Sequence, residues 1–150
     1  MTILACDPDS VDARVLVDEL SATLAGITGD SGKSSFSPQD ARVARSVFVV
    51  ARGADGALRG CGAIRPLHDD VGELKRMYAR PGSVAVGAAL LDHLEAQARG
   101  FGYRELWLET RRVNTRAVDF YLRHGYRQIP NFGSYVGRDE AICLAKALGV

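Results

Sequence analysis

Two segments combine residue types that can perform chemistry on a ligand with a nucleotide tail. The first runs from the strand GELKRMYAR through the turn PGSVAVG into the apolar helix AALLDHLEAQARG. Because the first N–H groups of a helix have no intrahelical acceptor, such a turn can bind a pyrophosphate through its backbone. The second segment, NTRAVDFYLRHGY, follows the strand ELWLET and begins at Asn114, which is suited to cap a helix that contains Tyr121. The pattern therefore indicates a nucleotide-tailed ligand.

Composition narrows the class of protein. The chain has 150 residues, of which 47% are apolar and 25% charged, as in a globular domain with one core. Lys and Arg number 19 against 18 Asp and Glu, so the net charge of +1 gives no field that attracts nucleic acid. No apolar run reaches membrane-spanning length, and the N-terminus lacks a signal-peptide pattern. We therefore expect a single domain over residues 1–150, located in the cytoplasm, with no nucleic-acid or membrane partner.

The cysteines and histidines show no spacing typical of metal ligands. The three cysteines are far apart and flanked by small or apolar residues, which favours core packing over a disulfide framework, with a nucleophile as the minor alternative: Cys6, Cys61 and Cys143. His124, near a helix end, is interpreted as a partner of the helix dipole. We predict no metal.

Hydrophobic spacing predicts alternating elements in the first half of the chain. A strand at residues 2–5 is followed by a helix that Asp9 or Ser10 caps and Gly26 ends, and Ser37 and Pro38 begin a short helix to about Arg45. A hairpin joins strands at residues 47–50 and 58–64, with Pro66 stopping the second strand. Simple alternation along the next strand, residues 73–79, puts four side chains on one face: Glu73, Lys75, Met77 and Ala79.

Hydrophobic spacing also predicts alternating helices and strands in the second half of the chain. A helix follows Gly87, a strand covers residues 105–109, and a helix capped by Asn114 ends before Gly125. The last strands lie at residues 126–129 and 141–146. A P-loop-like stretch at residues 26–34 has Ile27 where the first glycine is required, so nucleotide hydrolysis is disfavoured.

Several motifs in succession carry a family resemblance. GELKRMYARP, a glycine turn, AALLDHLE and FGYRELWLET precede Asn-x-x-Ala-x-x-Phe-Tyr-x-x-x-Gly-Tyr at residues 114–126. From Gly60 to Lys146 the chain resembles the Gcn5-related N-acetyltransferase (GNAT) family, and the segment PNFGSY at residues 130–135 is similar to small bacterial acetyltransferases. The resemblance implies an α/β domain with a mixed, mostly antiparallel seven-stranded sheet flanked by helices, in the order β-α-α-β-β-β-α-β-α-β-β.

The resemblance also implies an activity. It is acetyl-CoA-dependent N-acetyl transfer to a primary amine of a small molecule or protein, by direct attack in a ternary complex. A lysine-type amine, with a pKa near ~10.4, must lose a proton before it attacks. Tyr121 occupies the position from which the family donates a proton to the departing thiolate, although its ring could simply belong to the core. Asn114 either reaches the CoA arm or only caps its helix.

Two carboxylates are candidates for the base. Glu73 occupies a position where many family members place a carboxylate that acts through water, and its alternative is a strand-end residue paired with Lys75 or Arg76. Glu109, at the end of the other central strand, is the reserve base or a substrate-binding group.

Acetyl-CoA is expected between two parting strands. The resemblance assigns the pantetheine contacts to backbone in one strand and the pyrophosphate contacts to the following bend: Met77, Tyr78 and Ala79, then Gly82, Ser83, Val84, Ala85, Val86, Gly87 and Ala88. The bend departs from the family pattern because Gly82 replaces its arginine, Ala85 replaces its central glycine, and the connection is shorter. Arg80 is either a substitute cation or a solvated strand end. The departure keeps open an alternative, a degenerate, non-catalytic domain that binds an acyl-CoA or senses a ligand.

The acceptor pocket is expected between residues 27–37 and 131–137. Phe36, Phe132 and Tyr135 are either its aromatic walls or residues that pack these loops onto the core. Pairing of edge strands into a homodimer is also expected.

Overall fold

The computed structural model describes residues 1–83 and 85–149, and its strands form one mixed sheet. The strands are β1 (Thr2–Ala5), β2 (Val47–Arg52), β3 (Leu58–His68), β4 (Val71–Ala79), β5 (Glu105–Arg111), β6 (Arg127–Ile129) and β7 (Ala141–Ala147). Their order is β1-β2-β3-β4-β5-β7-β6, and only β4 and β5 are parallel neighbours. The predicted seven-stranded, mostly antiparallel sheet is confirmed.

Three α-helices cover the sheet: α1 (Val11–Thr28), α2 (Val86–Gly100) and α3 (Thr115–Arg123). As predicted, Ser10 caps α1, and its Oγ accepts a hydrogen bond from the N–H of Ala13 at 3.3 Å. Helix α1 buries Leu16 against Phe48 on one face of the sheet. Helices α2 and α3 pack on the opposite face, where the larger part of the core lies.

Two predictions about helices were wrong. Helix α1 continues through Gly26 and ends before Gly29, whose φ of 80° is the left-handed conformation that glycine adopts most readily. The predicted second helix is only a 3₁₀ turn at Pro38–Ala41, preceded by another at Lys33–Ser35. Ser37 and Asp40 form a capping box there, so the start of the element is predicted correctly although no α-helix follows.

Pro66 does not end β3, which continues to His68. Pairing between β2 and β3 stops at Val47 and Ile64, whereas β3 still pairs with β4 at Pro66 and Gly72. The edge of β3 that faced β2 is therefore free at Pro66, and a residue without an N–H is tolerated at such an edge.

A β-bulge in β4 overturns the predicted alternation of its side chains. The register with β3 shifts between Cys61↔Tyr78 and Ala63↔Lys75, and Arg76 adopts a φ of 54°. Leu74 and Met77 consequently pack into the core beneath α2, while Tyr78 packs on the α1 side. A bulge adds one residue to one strand, so side chains beyond it change face.

Other predictions concern burial and special sites. Cys61 and Cys143 are buried, as predicted, whereas Cys6 is partly exposed. Burial raises the pKa of the Cys61 thiol to about 12. Over the described ranges, no helix is long and apolar enough to cross a membrane, and no three His, Cys, Asp or Glu side chains group as metal ligands.

Substitution of Gly60 by alanine is expected to destabilise the sheet where β3 meets β4. A Cβ at Gly60 would lie 2.3 Å from the carbonyl oxygen of Tyr78 and 3.0 Å from Leu90, so backbone must shift. We expect a loss of about 2–3 kcal/mol in the free energy of unfolding, measured by urea denaturation. Gly26→Ala is the matched control, because a Cβ there meets nothing within 4 Å. That variant should gain about 0.5–1 kcal/mol, and equal effects at both positions would contradict the packing described here.

Candidate active site

Strands β4 and β5 separate after a short parallel contact, and a cleft opens between them. Val71–Glu73 pair with Glu105–Trp107, and no further pairing joins the two strands within the described residues. The cleft has a volume of about 400 Å³ and is lined by β4, β5, α1, α3 and the loops that follow α1 and β6. Backbone groups on the facing edges beyond the contact have no strand partner, which makes them available to a ligand.

Tyr121 lies on the cleft wall. Its side chain is almost completely buried, and its ring meets the ring of Tyr126 edge to face at 5.6 Å between centroids. No described residue forms a hydrogen bond with its hydroxyl, and burial raises the pKa of that hydroxyl well above its ordinary value. The phenol therefore stays protonated at neutral pH and can donate its proton into the cleft.

Asn114 both caps α3 and lines the cleft, so the structure is compatible with either of the two roles considered for it. Its Oδ1 accepts a hydrogen bond from the N–H of Ala117 at 3.3 Å, which caps α3, and the residue also lines the cleft. The cap fixes the first turn of α3, and through it the orientation of Tyr121 two turns later.

Glu109 brings a carboxylate to the opposite wall. Burial raises the pKa of Glu109, although the nearby charges of Arg111 and Lys75 partly offset the effect. The Nε of Arg111 lies 3.3 Å from Oε2 of Glu109. A carboxylate whose pKa is raised in a cleft has the property required of a general base that works near neutral pH.

Glu73 lies behind the wall rather than on it. Its Oε2 is 3.2 Å from Nζ of Lys75 and accepts a hydrogen bond from the hydroxyl of Tyr135 at 3.3 Å. Lys75 in turn donates a hydrogen bond of 2.6 Å to that hydroxyl, and both Lys75 and Tyr135 line the cleft. Glu73 therefore reaches the cleft only through these two side chains.

A model of the Acetyltransferase (GNAT) family matches residues 16–126. The chain belongs to the GNAT family. This membership supports an N-acetyltransferase, as the sequence motifs predicted.

Named relatives agree with this membership. The chain is 35% identical over 104 residues to the "IAA acetyltransferase" of Azospirillum brasilense, covering 67% of each chain. A solved structure assigned as an acyl-CoA N-acyltransferase from Klebsiella pneumoniae is 29% identical, with a TM-score of 0.83 over 99% of this chain and 97% of that one. The PaiA N-acetyltransferase of Thermoplasma acidophilum, solved with coenzyme A, shares the fold at 21% identity, with a TM-score of 0.71 over 98% of this chain and 99% of that one.

The start of α2, after the bend that follows β4, presents backbone N–H donors. Ala85 precedes α2 without any side-chain cap, and the first helical hydrogen bond to its carbonyl comes from Ala89. Three N–H groups in the first turn therefore have no helical acceptor: those of Val86, Gly87 and Ala88. The hydroxyl of Ser83 is buried without a hydrogen-bond partner among the described residues. These donors suit a phosphate group.

The other residues predicted to contact the cofactor differ in position. Met77 lines the cleft, and Ala79 packs on the core beneath α2. Tyr78 faces α1, where its hydroxyl donates to Glu19 at 3.0 Å, so only its backbone is available to the cofactor. Gly82 has a φ of 81°, and Val84 lies outside the described residues.

Arg80 does not replace the arginine that the bend lacks. Its guanidinium is bound to both carboxylate oxygens of Glu19, at 2.9 and 2.7 Å, and to the carbonyl of Leu58. The Arg80 side chain is therefore bound to α1, on the side of the sheet opposite α2.

The three aromatic residues predicted to form the acceptor pocket are not equivalent. Tyr135 lines the cleft. Phe36 packs with the core beneath α1, and Phe132 packs against Trp107 at 5.2 Å between ring centroids. For these two rings the structure therefore supports the alternative of core packing.

Several cleft residues were not among the predicted site residues. Five are charged, namely Asp30, Lys75, Arg76, Arg111 and Arg138, and three belong to α1, namely Leu20, Leu24 and Thr28. The available signal was the pair of adjacent cations in the middle of a strand, which is unusual because Lys and Arg are almost never buried without a partner.

Replacement of Ala85 by glycine is expected to stabilise the protein. Ala85 has a φ of 63°, a left-handed conformation in which its Cβ is strained. We expect the free energy of unfolding to rise by about 1 kcal/mol in urea denaturation. Ala89→Gly, inside α2, is the matched control and should lower it by about 1 kcal/mol. A loss of stability in Ala85→Gly would contradict the strain.

Proposed function

We propose that the protein transfers the acetyl group of acetyl-CoA to a primary amine of a small molecule by direct attack in a ternary complex. The observation that carries the proposal is that an unpartnered Tyr121 hydroxyl and a Glu109 carboxylate of raised pKa face one cleft. The acceptor side is covered by α1, by residues 30–35 and by residues 134–138, so the space favours a small molecule over a protein surface.

The residues present fit acetyl-CoA as the co-substrate, which supplies an activated acetyl thioester when bound. The first-turn amides of α2 and the buried hydroxyl of Ser83 suit its pyrophosphate. The open edge of β4 around Met77 suits the amides of the pantetheine arm. One structural neighbour, the PaiA N-acetyltransferase, was solved with coenzyme A, which supports this assignment.

Glu109 is assigned as the base that takes a proton from the acceptor ammonium. An amine with a pKa near ~10.4 is almost fully protonated at neutral pH and cannot attack until that proton leaves. The raised pKa of Glu109 brings its basicity closer to that of the amine, which makes the transfer less unfavourable. Glu73, predicted as the base, is assigned instead to hold Lys75 and Tyr135 in place.

Tyr121 is assigned as the acid that protonates the departing sulfur. Its buried phenol holds the proton on the hydroxyl until a thiolate develops beside it. Asn114 maintains its orientation by capping α3.

The alternative is a non-catalytic acyl-CoA-binding or ligand-sensing domain, and the observation that favours it is the unusual bend between β4 and α2. Ala85 is strained and no arginine occupies the position of Gly82. Isothermal titration calorimetry with acetyl-CoA, combined with an assay of CoA release across a panel of amines, separates the two functions. Binding together with CoA release supports the transferase, and binding without release for every amine supports the alternative.

Removal of the Tyr121 hydroxyl tests the acid. We expect Tyr121→Phe to lower kcat about 10²-fold or more, because the thiolate must leave without a proton donor. Affinity for acetyl-CoA, measured by calorimetry, should change little. Tyr103→Phe is the matched control, since it removes a buried hydroxyl that binds the carbonyl of Arg45. That variant should lose stability and keep its turnover, and an unchanged kcat in Tyr121→Phe would remove Tyr121 from the mechanism.

The pH dependence of kcat/KM tests the base. In the wild type, kcat/KM should rise through the pKa of Glu109, above the ordinary carboxyl value of 4.5, and level off once the carboxylate is ionised. The Glu109→Gln variant has no base and can use only the small fraction of the amine that is already neutral. Its kcat/KM should therefore be about 10²-fold lower at neutral pH and should keep rising toward alkaline pH, as more of the amine loses its proton.

Glu105→Gln, on the same strand but outside the cleft, is the control for this profile. Glu105 accepts a hydrogen bond from the indole of Trp107 at 3.0 Å. Its variant should retain the wild-type plateau. A plateau that persists in Glu109→Gln would assign the base to another group.

A further inference from the structure

Arg76 is a cation on the cleft wall that no acidic side chain neutralises. Its side chain is only 8% exposed. The guanidinium donates one hydrogen bond to Oγ of Ser21 at 2.6 Å and another to the carbonyl of Ser31 at 3.4 Å, and both acceptors are neutral. Since guanidinium carries five N–H donors, several remain for a ligand in the cleft.

The other buried and half-buried cations near Arg76 are paired. Lys75 lies 3.2 Å from Glu73, Arg80 lies 2.7 Å from Glu19, and Arg111 lies 3.1 Å from Asp30 and 3.3 Å from Glu109. No described carboxylate forms an ion pair with Arg76. Arg138 also lines the cleft without an ion pair among the described residues, but it is exposed to solvent. Arg76 is therefore the buried cation of the cleft that lacks an acid.

A buried cation without an anion is costly. Burial lowers the pKa of Arg76, which shows that its surroundings disfavour the charge, yet an arginine side chain stays protonated at any ordinary pH. Burial of an unpaired charge is among the more destabilising features of a protein interior. An anion that enters the cleft would remove this cost.

The backbone holds Arg76 in this position at the expense of strain. Its φ of 54° belongs to the bulge in β4, which brings Lys75 and Arg76 to the same side of the sheet although they are consecutive. A left-handed conformation is strained for any residue other than glycine. The loop after α1 also leaves room for the guanidinium, because a Cβ at Gly32 would lie 3.0 Å from its Nη1.

We propose that Arg76 binds a carboxylate of the acceptor, so that the enzyme acetylates amines that also carry a carboxylate, as amino acids do. The proposal rests on the proposed transferase function and specifies its substrate class. In such an acceptor the ammonium faces Glu109 and the carboxylate faces Arg76, and both residues line the same cleft. A carboxylate suits the site better than a phosphate because Lys75 and Arg111 are already neutralised, which leaves a single buried positive charge for a single negative one.

The test compares acceptors that differ only in this group. Glycine, β-alanine, 4-aminobutanoate, leucine, phenylalanine and lysine are each assayed for CoA release beside the corresponding carboxamide. 2-Aminoethylphosphonate is assayed in the same way to test whether the site prefers a phosphate-like group. The amine of an α-amino carboxamide is less basic than that of the acid and is more often neutral, so intrinsic reactivity favours the amide. A preference for the acid must therefore come from the protein.

The wild type should favour at least one acid over its amide about 10²-fold in kcat/KM, as expected for a hydrogen-bonded ion pair. Arg76→Gln should abolish that preference, and Arg76→Lys should retain part of it. Equal use of acids and amides by the wild type, a stronger preference for the phosphonate, or an unchanged preference in Arg76→Gln would overturn the proposal.

A second pair of variants keeps Arg76 intact. Ser21→Asp places a carboxylate where the hydroxyl now accepts from Arg76, so it should occupy the guanidinium and abolish the preference for acids. Ser21→Asn has nearly the same size without the charge and should retain the preference. If Ser21→Asp and Ser21→Asn prefer acids equally, Arg76 does not act through its charge. This comparison remains valid if Arg76→Gln does not fold.

Failure of the transferase is distinguishable from failure of this proposal. If no amine is acetylated, the proposed activity is wrong, and carboxylate binding is then judged from melting temperatures with saturating CoA. Acids that raise the melting temperature of the wild type more than their amides, with no such difference in Arg76→Gln, support the carboxylate site. Equal shifts for acids and amides overturn it. Turnover without preference for acids supports the transferase and overturns this inference alone.

Discussion

The early end of parallel pairing between β4 and β5 is the constraint on which the rest of the site depends. Only three residue pairs join these strands, yet each keeps its other partner: β4 pairs with β3 along most of its length, and β5 pairs with β7 from Glu105 to Arg111. The two walls are thus held by separate antiparallel ladders, β4 by β3 and β5 by β7. The gap lies inside a single continuous sheet, and its open backbone edges are available to an extended ligand.

The charges around the cleft are largely cancelled within the protein. Glu73 neutralises Lys75, and Arg111 is shared between Asp30 and Glu109. Because a single arginine is shared by two carboxylates, one negative charge beside Arg111 remains uncompensated, and the guanidinium of Arg76 has no acid. A zwitterionic acceptor would complement both at once, since its two charges have the opposite signs. The same argument explains why an amine alone would satisfy only half of the site.

The sequence predicted elements whose signals are local and missed features that depend on pairing. The cap at Ser10, the helix from Asn114 to Gly125 and the cores of the strands follow from spacing within a few residues, and the family motifs supplied the topology. Pro66 was taken to end β3 because its lack of an N–H is visible locally, whereas the free edge that tolerates it depends on where β2 stops. The family motif also identified Tyr121 as a candidate. The lack of an acidic partner for Arg76, in contrast, depends on which carboxylates lie near each cation in the folded chain, and the sequence does not show this.

Two of the strained residues flank Met77–Ala79, the proposed pantetheine contacts, in the sequence, and their strain has different origins. Left-handed φ values occur at Ala85, before α2, and at Arg76, in the bulge of β4. At Ala85 the side chain adds nothing that a glycine would lack, since it forms no cap, so the strain there is a removable cost of the particular sequence. At Arg76 no glycine could replace the residue without loss of the only unpaired buried cation among the residues described, so conformation and charge are linked. A third left-handed residue, Arg45, is compensated by its own hydrogen bonds to the carbonyls of Phe101 and Asp69. Arg76 has only two neutral acceptors, Ser21 and Ser31, in return for its strain and its burial, and the proposed carboxylate would supply the missing compensation.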